Sequence, residues 1–265
     1  MDITVIINCY ARPEYLKEQI DAIRSQTLDP REIWIWRNRI DAVTEYDKHL
    51  NNEMDERIKG VGADVVIDSS RNFKYHGRFS LGLLADTEYL AVFDDDTIPG
   101  KMWFKNCVDT MTEKGTCILG GAGVKLLSPF YVQHEREGWP SENRNIEEVD
   151  LVGHTWFFRR KTLNYLWEAE PYTFGNGEDI QFSAQAKMFG GVRTYCPPHY
   201  NKELSSSLKP WEYGNDKKAS SNGSLIDIPT FYHQRDEIIE HFLDQGWKTV
   251  NDIGGIRDKA RANKA

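Results

Sequence analysis

The run Tyr89-Leu90-Ala91-Val92-Phe93-Asp94-Asp95-Asp96-Thr97-Ile98-Pro99-Gly100 carries an unbroken apolar stretch straight into three carboxylates and a turn. A short, continuous apolar run reads as a strand covered on both faces, which places it in a sheet layered with helices. Three adjacent acids at the end of such a strand repel one another. At least one of them lies near a dry interior, where an unpaired charge is costly. A divalent cation removes that conflict, because hard ions such as Mg²⁺ or Mn²⁺ take oxygen ligands and share their coordination sphere with substrate phosphates. A metal-bridged phosphate or nucleotide site is therefore the first expectation.

The segments around this run repeat its pattern. Ile3 to Ile7 is wholly apolar and rich in β-branched residues, and Leu16, Ile20 and Ile23 follow at helical spacing between Tyr15 and Ser25. Ile33 to Trp36 and Asp64 to Asp68 predict two further strands, separated by the polar stretch 37–60, and Phe79 to Ala85 predicts a helix. Strands alternating with helices imply an α/β sheet whose functional groups lie at the carboxyl ends of its strands. Beyond residue 100 the pattern predicts a Gly-rich strand at Ile118 to Leu127 and a polar excursion from Ser128 to Asp150, read as an acceptor loop or flap. A helix from Ile180 to Phe189, a strand from Val192 to Cys196, a polar loop over 201–224, an amphipathic Glu237 to Leu243 and a charged tail after Gly254 complete the reading.

A chain of 265 residues with 40% hydrophobic content can bury a full core. Its formal charge of −8 disfavours a broad nucleic-acid surface. Cys9, Cys107, Cys117 and Cys196 are widely spaced without a CxxC pair, which suggests neither a zinc site nor a disulfide scaffold and reads as reduced thiols. The first residues enter a strand without the basic and long apolar regions of a signal peptide, and no segment approaches the roughly 20 apolar residues of a membrane span. The expected location is cytoplasmic, with peripheral membrane action left open.

Three motifs carry a family resemblance. Val5-Ile6-Ile7-Asn8-Cys9-Tyr10-Ala11-Arg12-Pro13-Glu14-Tyr15-Leu16 resembles the strand-loop-helix opening of GT-A fold glycosyltransferases, Phe93-Asp94-Asp95-Asp96-Thr97 their DxD element, and Gly177-Glu178-Asp179-Ile180 their later acidic motif. The order is that of family 2, with local details similar to the exostosin-like family 64. The resemblance implies an α/β, GT-A (Rossmann-like) single domain with a mixed central sheet flanked by helices. Residues 1–235 would form it, with a nucleotide-binding half over 1–100 and a donor-sugar and acceptor half over 101–235; residues 236–265 would add a C-terminal helix and charged tail.

The activity implied is metal-dependent transfer of a sugar, with hexosyl transfer expected, from a nucleotide-sugar to an acceptor hydroxyl. A UDP-sugar is favoured, and GDP- and dTDP-sugars stay open. Mn²⁺ or Mg²⁺ would be held by Asp94 and Asp96, with His233 or His199 as a third ligand. Asp179 would act on the acceptor hydroxyl with Glu178 beside it, inversion being favoured over retention. Tyr10, Arg12, Asn38, Asp68, Arg78, Asp94, Asp95, His154 and Trp156 would contact the donor. Trp211, Tyr213, Lys217 and Lys218 would close over it. A glycan, lipid-linked sugar or protein glycan is the favoured acceptor. A modified DNA base held by Lys202, Lys209, Lys217, Lys218 and the basic tail is the lesser one. Helix capping, core packing and solvated surface each account for these residue types singly. A haloacid-dehalogenase-type phosphatase and a non-catalytic nucleotide-sugar-binding module are the rival readings. A nucleotidyltransferase would share the sheet and the metal, but the Gly-rich, basic phosphate loop expected after its first strand is absent from Asn8 to Arg12.

Overall fold

The computed structural model describes residues 1–208 and 228–262. The apolar runs of the first hundred residues form β1 (Ile3–Cys9), β2 (Glu32–Arg37), β3 (Val65–Asp68) and β4 (Tyr89–Phe93), joined in parallel in the order β3-β2-β1-β4. Helix α1 (Leu16–Arg24) lays Leu16, Ile20 and Ile23 on the main core, which also takes Trp103, Phe104, Cys107 and Met111 from α4 (Trp103–Lys114). This layering leaves the carboxyl ends of β1 and β4 side by side, so the loops carrying Tyr10, Arg12 and Asp94 to Asp96 emerge together.

The polar stretch 37–60 contains a helix, α2 (Glu45–Ile58), that the polar composition concealed. Thr44 Oγ1 accepts from the Asp47 backbone N–H and the Asp47 carboxylate accepts from the Thr44 N–H, so a capping box starts it. The helix expected at Phe79 to Ala85 is shorter, a single turn α3 (Gly77–Ser80) that tightens into a 3₁₀ turn over Leu81–Leu84.

The second half adds β5 (Cys117–Leu126), β6 (His134–Gly138), β7 (Glu147–Val149), β8 (Leu151–Arg159) and β9 (Arg193–Cys196). Strand β8 lies antiparallel between β4 and β5, and β5 forks, pairing with β9 through Cys117 to Leu119 and with β6 through Ala122 to Leu126. The excursion from Ser128 to Asp150 is thus partly woven into the sheet through β6 and β7, whose backbone groups find partners on β5 and β9. Between Gly120 and Ala122 of β5 the facing strand advances from Trp156 to Gly153, one residue more than its partner. The surplus makes a bulge in which His154 takes φ 65°.

Helix α5 (Glu178–Gly190) starts after Gly177, which sits at φ 76° and whose absent side chain leaves room for Ile238. Helices α6 (Ile228–Asp244) and α7 (Ile253–Ala262) follow, and Ile238, Ile239, Phe242 and Ile253 form a second core with Ile180, Ala184, Val124 and Leu151. The division expected at 235/236 is crossed by α6, whose apolar stripe packs on α5.

Candidate active site

The loops after β1, β3 and β4, the bulge of β8 and the N-termini of α5 and α6 surround a cavity of about 490 Å³. It is lined by Tyr10, Arg12, Arg78, Asp94, Asp95, Asp96, His154, Trp156, Glu178 and Asp179, which the sequence reading had named from five separate segments. Gln19 ties the acidic loop down by donating to the carbonyls of Asp94 and Thr97, both at 2.7 Å. The Asp94 N–H is tied to the carbonyl of His154 across the bulge at 3.0 Å.

Each carboxylate here meets an arginine. Asp95 is buried and accepts from the Ala11 N–H at 2.8 Å and from Arg12 at 2.6 Å, so it holds the β1 loop against the β4 loop. Arg12 also stands 3.4 Å from Asp96. Arg78 pairs with Asp94 on one side and with Glu178 at 2.7 Å on the other, its guanidinium 4.5 Å above the Trp156 ring. Arg235, from α6, donates to Asp179 at 2.7 Å and lies 4.0 Å over the Tyr131 ring. Burial and the neighbouring Asp179 raise the pKa of Glu178, while Arg78 opposes the rise. Buried ion pairs of this kind persist where geometry and further hydrogen bonds offset desolvation.

His154 is held neutral, since burial and then the charges of Arg136, Arg12 and Arg78 push its pKa down to about 3. Four residues of the cavity lining carry a buried polar atom without an intramolecular partner: Asn8 Oδ1, Trp156 Nε1, Arg78 Nε and Arg235 Nε.

Five expected contacts are not at the cavity. Asp68 ends the edge strand β3 on its exposed face and pairs with Arg39 at 2.6 Å. Asn38 is buried behind the wall, where it bonds Asn72, the Lys74 carbonyl and the Phe73 N–H and so shapes the loop that presents Asn72, Lys74 and Tyr75. His233 is exposed on α6 and faces Glu237 at 3.4 Å, because that helix turns Arg235 inward instead. His199 is buried against Trp103 and bonded to Ser206 at 3.0 Å. Lys202 is exposed away from the cavity, and Trp211, Tyr213, Lys209, Lys217 and Lys218 lie outside the described residues. Sequence reasoning gave no role to Asn72, Tyr75, Tyr131, Arg136, Asn176 or Arg235, which all line the cavity.

The histidines give a stability expectation. Burial lowers the pKa of both His76 and His199 from the ordinary 6.5 to about 4. Between those values the unfolded chain binds more protons than the folded one, so stability is full above about pH 6.5 and falls as pH drops towards 4. The loss should reach on the order of 3 kcal/mol per imidazole, and urea midpoints across that window should fall less steeply for His76→Phe than for the natural chain.

The profile of the family described as Glycosyl transferase family 2 matches residues 4–167. No curated protein matches the chain. Among solved structures, residues 1–349 of S. aureus TarS share 17% identity at a TM-score of 0.47, over 75% of this chain and 60% of that one. A longer TarS structure gives 16% and 0.46, over 75% and 37%. A Pyrobaculum calidifontis mannosyltransferase in complex with GDP-Man and Mn²⁺ gives 15% and 0.46, over 78% and 56%. The chain thus spans less than two thirds of each of these proteins.

Proposed function

The chain belongs to glycosyl transferase family 2, whose profile covers more than half of it, and we propose that its cavity transfers a sugar from a nucleotide-sugar to an acceptor hydroxyl. The observation that carries this reading is the meeting of Asp94 to Asp96 with Glu178 and Asp179 in one cavity, although they come from distant segments. A UDP-sugar is the leading donor, with hexosyl transfer and inversion the leading outcome.

In this reading the bond between the anomeric carbon and the diphosphate breaks as the acceptor oxygen bonds to that carbon. The acceptor proton passes to Asp179. Its two oxygens accept from the Ile180 N–H and from Arg235, and a carboxylate keeps lone pairs free for a third partner. Arg78 and Arg12 stand where they can exchange a carboxylate partner for a phosphate oxygen, and Tyr10 and Asn72 flank the nucleotide side.

The donor set fits a hard cation. Asp94 and Asp96 offer only oxygen, and among the described residues no group of three or more His, Cys, Asp or Glu side chains could hold a metal alone. Such a pair suits Mg²⁺ or Mn²⁺ that takes its remaining ligands from phosphate and water. When bound, the ion would offset the charge that develops on the departing diphosphate.

Thermal midpoints measured with UDP, GDP and dTDP, each with and without Mn²⁺, test the reading. One nucleotide should stabilise the protein in a metal-dependent manner. Asp96→Ala should remove the metal-dependent part, on the order of a 10-fold or greater loss of donor affinity. Full stabilisation that survives EDTA would remove Asp94 and Asp96 from metal binding. Among the described residues no helix is long and apolar enough to cross a membrane. A cytoplasmic enzyme with a soluble or membrane-surface glycan acceptor fits this reading.

A further inference from the structure

The charges around the cavity are paired unevenly. Arg12, Arg78 and Arg235 each hold a carboxylate, whereas among the described residues Arg136 and Lys74 face the cavity with no carboxylate in ion-pair range. Lys74 belongs to the loop after β3, on the nucleotide side. Arg136 belongs to β6, which is separated from the acidic strand β4 by β8 and β5. Three strand spacings put its backbone about 14 Å from β4, beyond the expected diphosphate.

The strand alternation explains why Arg136 lacks a partner. Arg136 stands opposite Val124, which also lines the cavity, while Glu137 points to the other face and pairs with Lys125 at 2.8 Å. Its neighbour along the same face of β6 is an imidazole. Arg136 Nε donates to His134 Nε2 at 2.9 Å, and burial followed by Arg136 lowers the pKa of His134 once the opposing bond to the Tyr131 carbonyl is counted. His154, whose pKa Arg136 helps to lower, lies tilted against Trp139 with ring centroids 4.3 Å apart. An exposed guanidinium bonded to an imidazole rather than a carboxylate, at the edge of a cavity, presents a fork shaped for a carboxylate or phosphate.

Resting on the transferase reading above, we propose that Arg136 receives an anionic group, carboxylate or phosphate, carried by the acceptor. The site then selects acceptors that bear a negative charge near the reacting hydroxyl. Neutral sugars bind without the ion pair.

The test uses the full chain saturated with the nucleoside diphosphate that stabilises it and Mn²⁺, titrated with inorganic phosphate, methyl glucuronide and methyl glucoside. Phosphate and the glucuronide should bind about 10-fold more tightly than the glucoside, the scale of one charge-assisted hydrogen bond pair. R136Q should erase that preference and R136K keep part of it, with nucleotide affinity unchanged in both. Equal binding of the charged and neutral probes, or a preference that persists in R136Q, overturns the proposal. So does a nucleotide affinity that falls in R136Q as far as the anion affinity, which would give the guanidinium to the donor. Failure of the natural chain to bind any nucleoside diphosphate overturns the transferase reading instead, and is seen before an acceptor probe is added.

Discussion

Asp179→Asn should lower turnover by about 10²- to 10⁴-fold while leaving donor affinity close to that of the natural chain. The substitution keeps the shape of a side chain whose oxygens accept from the Ile180 N–H and Arg235. It removes the basicity needed to take the acceptor proton. Single-turnover transfer under saturating donor separates the two effects. Near-normal turnover in the asparagine variant would end the assignment. A parallel loss of donor binding would make Asp179 a structural partner of Arg235 rather than the base.

The second large effect is expected at Arg78, which joins the two halves of the site. Its guanidinium contacts Asp94 at the end of β4 and Glu178 at the start of α5, and its partner Glu178 is buried. Arg78→Met should therefore cost about 3–5 kcal/mol of stability, because the acid left behind must be buried unpaired or take up a proton. Burial and Asp179 already raise the pKa of Glu178, and loss of Arg78, which opposes that rise, should raise it further. The double variant Arg78→Met/Glu178→Gln should recover part of the stability but not donor affinity. Chemical denaturation of the three chains, together with nucleotide titration, checks both statements. Stability unchanged in Arg78→Met would show that the bridge contributes nothing to the fold.

Much of the sheet was legible because β1, β2 and β4 are short runs of buried apolar residues, which leave little choice of partner. Helix α2 was not, because its buried face is carried by few residues, among them Leu50 and Met54, within a polar sequence. Its signal was the spacing of Thr44 and Asp47. Arg235 had a signal too. It precedes Ile238, Ile239 and Phe242 by three, four and seven residues, which places it on the apolar stripe of α6. His233 falls off that stripe, which is why a histidine expected at a metal faces solvent. For Asp68 the error was to treat every strand end alike, since on an edge strand alternate residues face water. The family is shown by the long match over residues 4–167, which leaves the phosphatase and nucleotidyltransferase alternatives without support.

The surplus residue in β8 makes the strand's length part of its information. From Trp156 to Phe158 the strand keeps step with both β4 and β5, while from Leu151 to Gly153 it keeps step with β5 through the shifted register. A deletion of one codon anywhere from Gly153 to Thr155 would leave both flanking registers with β5 in place and remove the bulge itself, and with it the left-handed backbone turn that carries His154 at the cavity. Point changes at His154 alter one side chain; loss of the surplus residue would straighten one wall of the cavity.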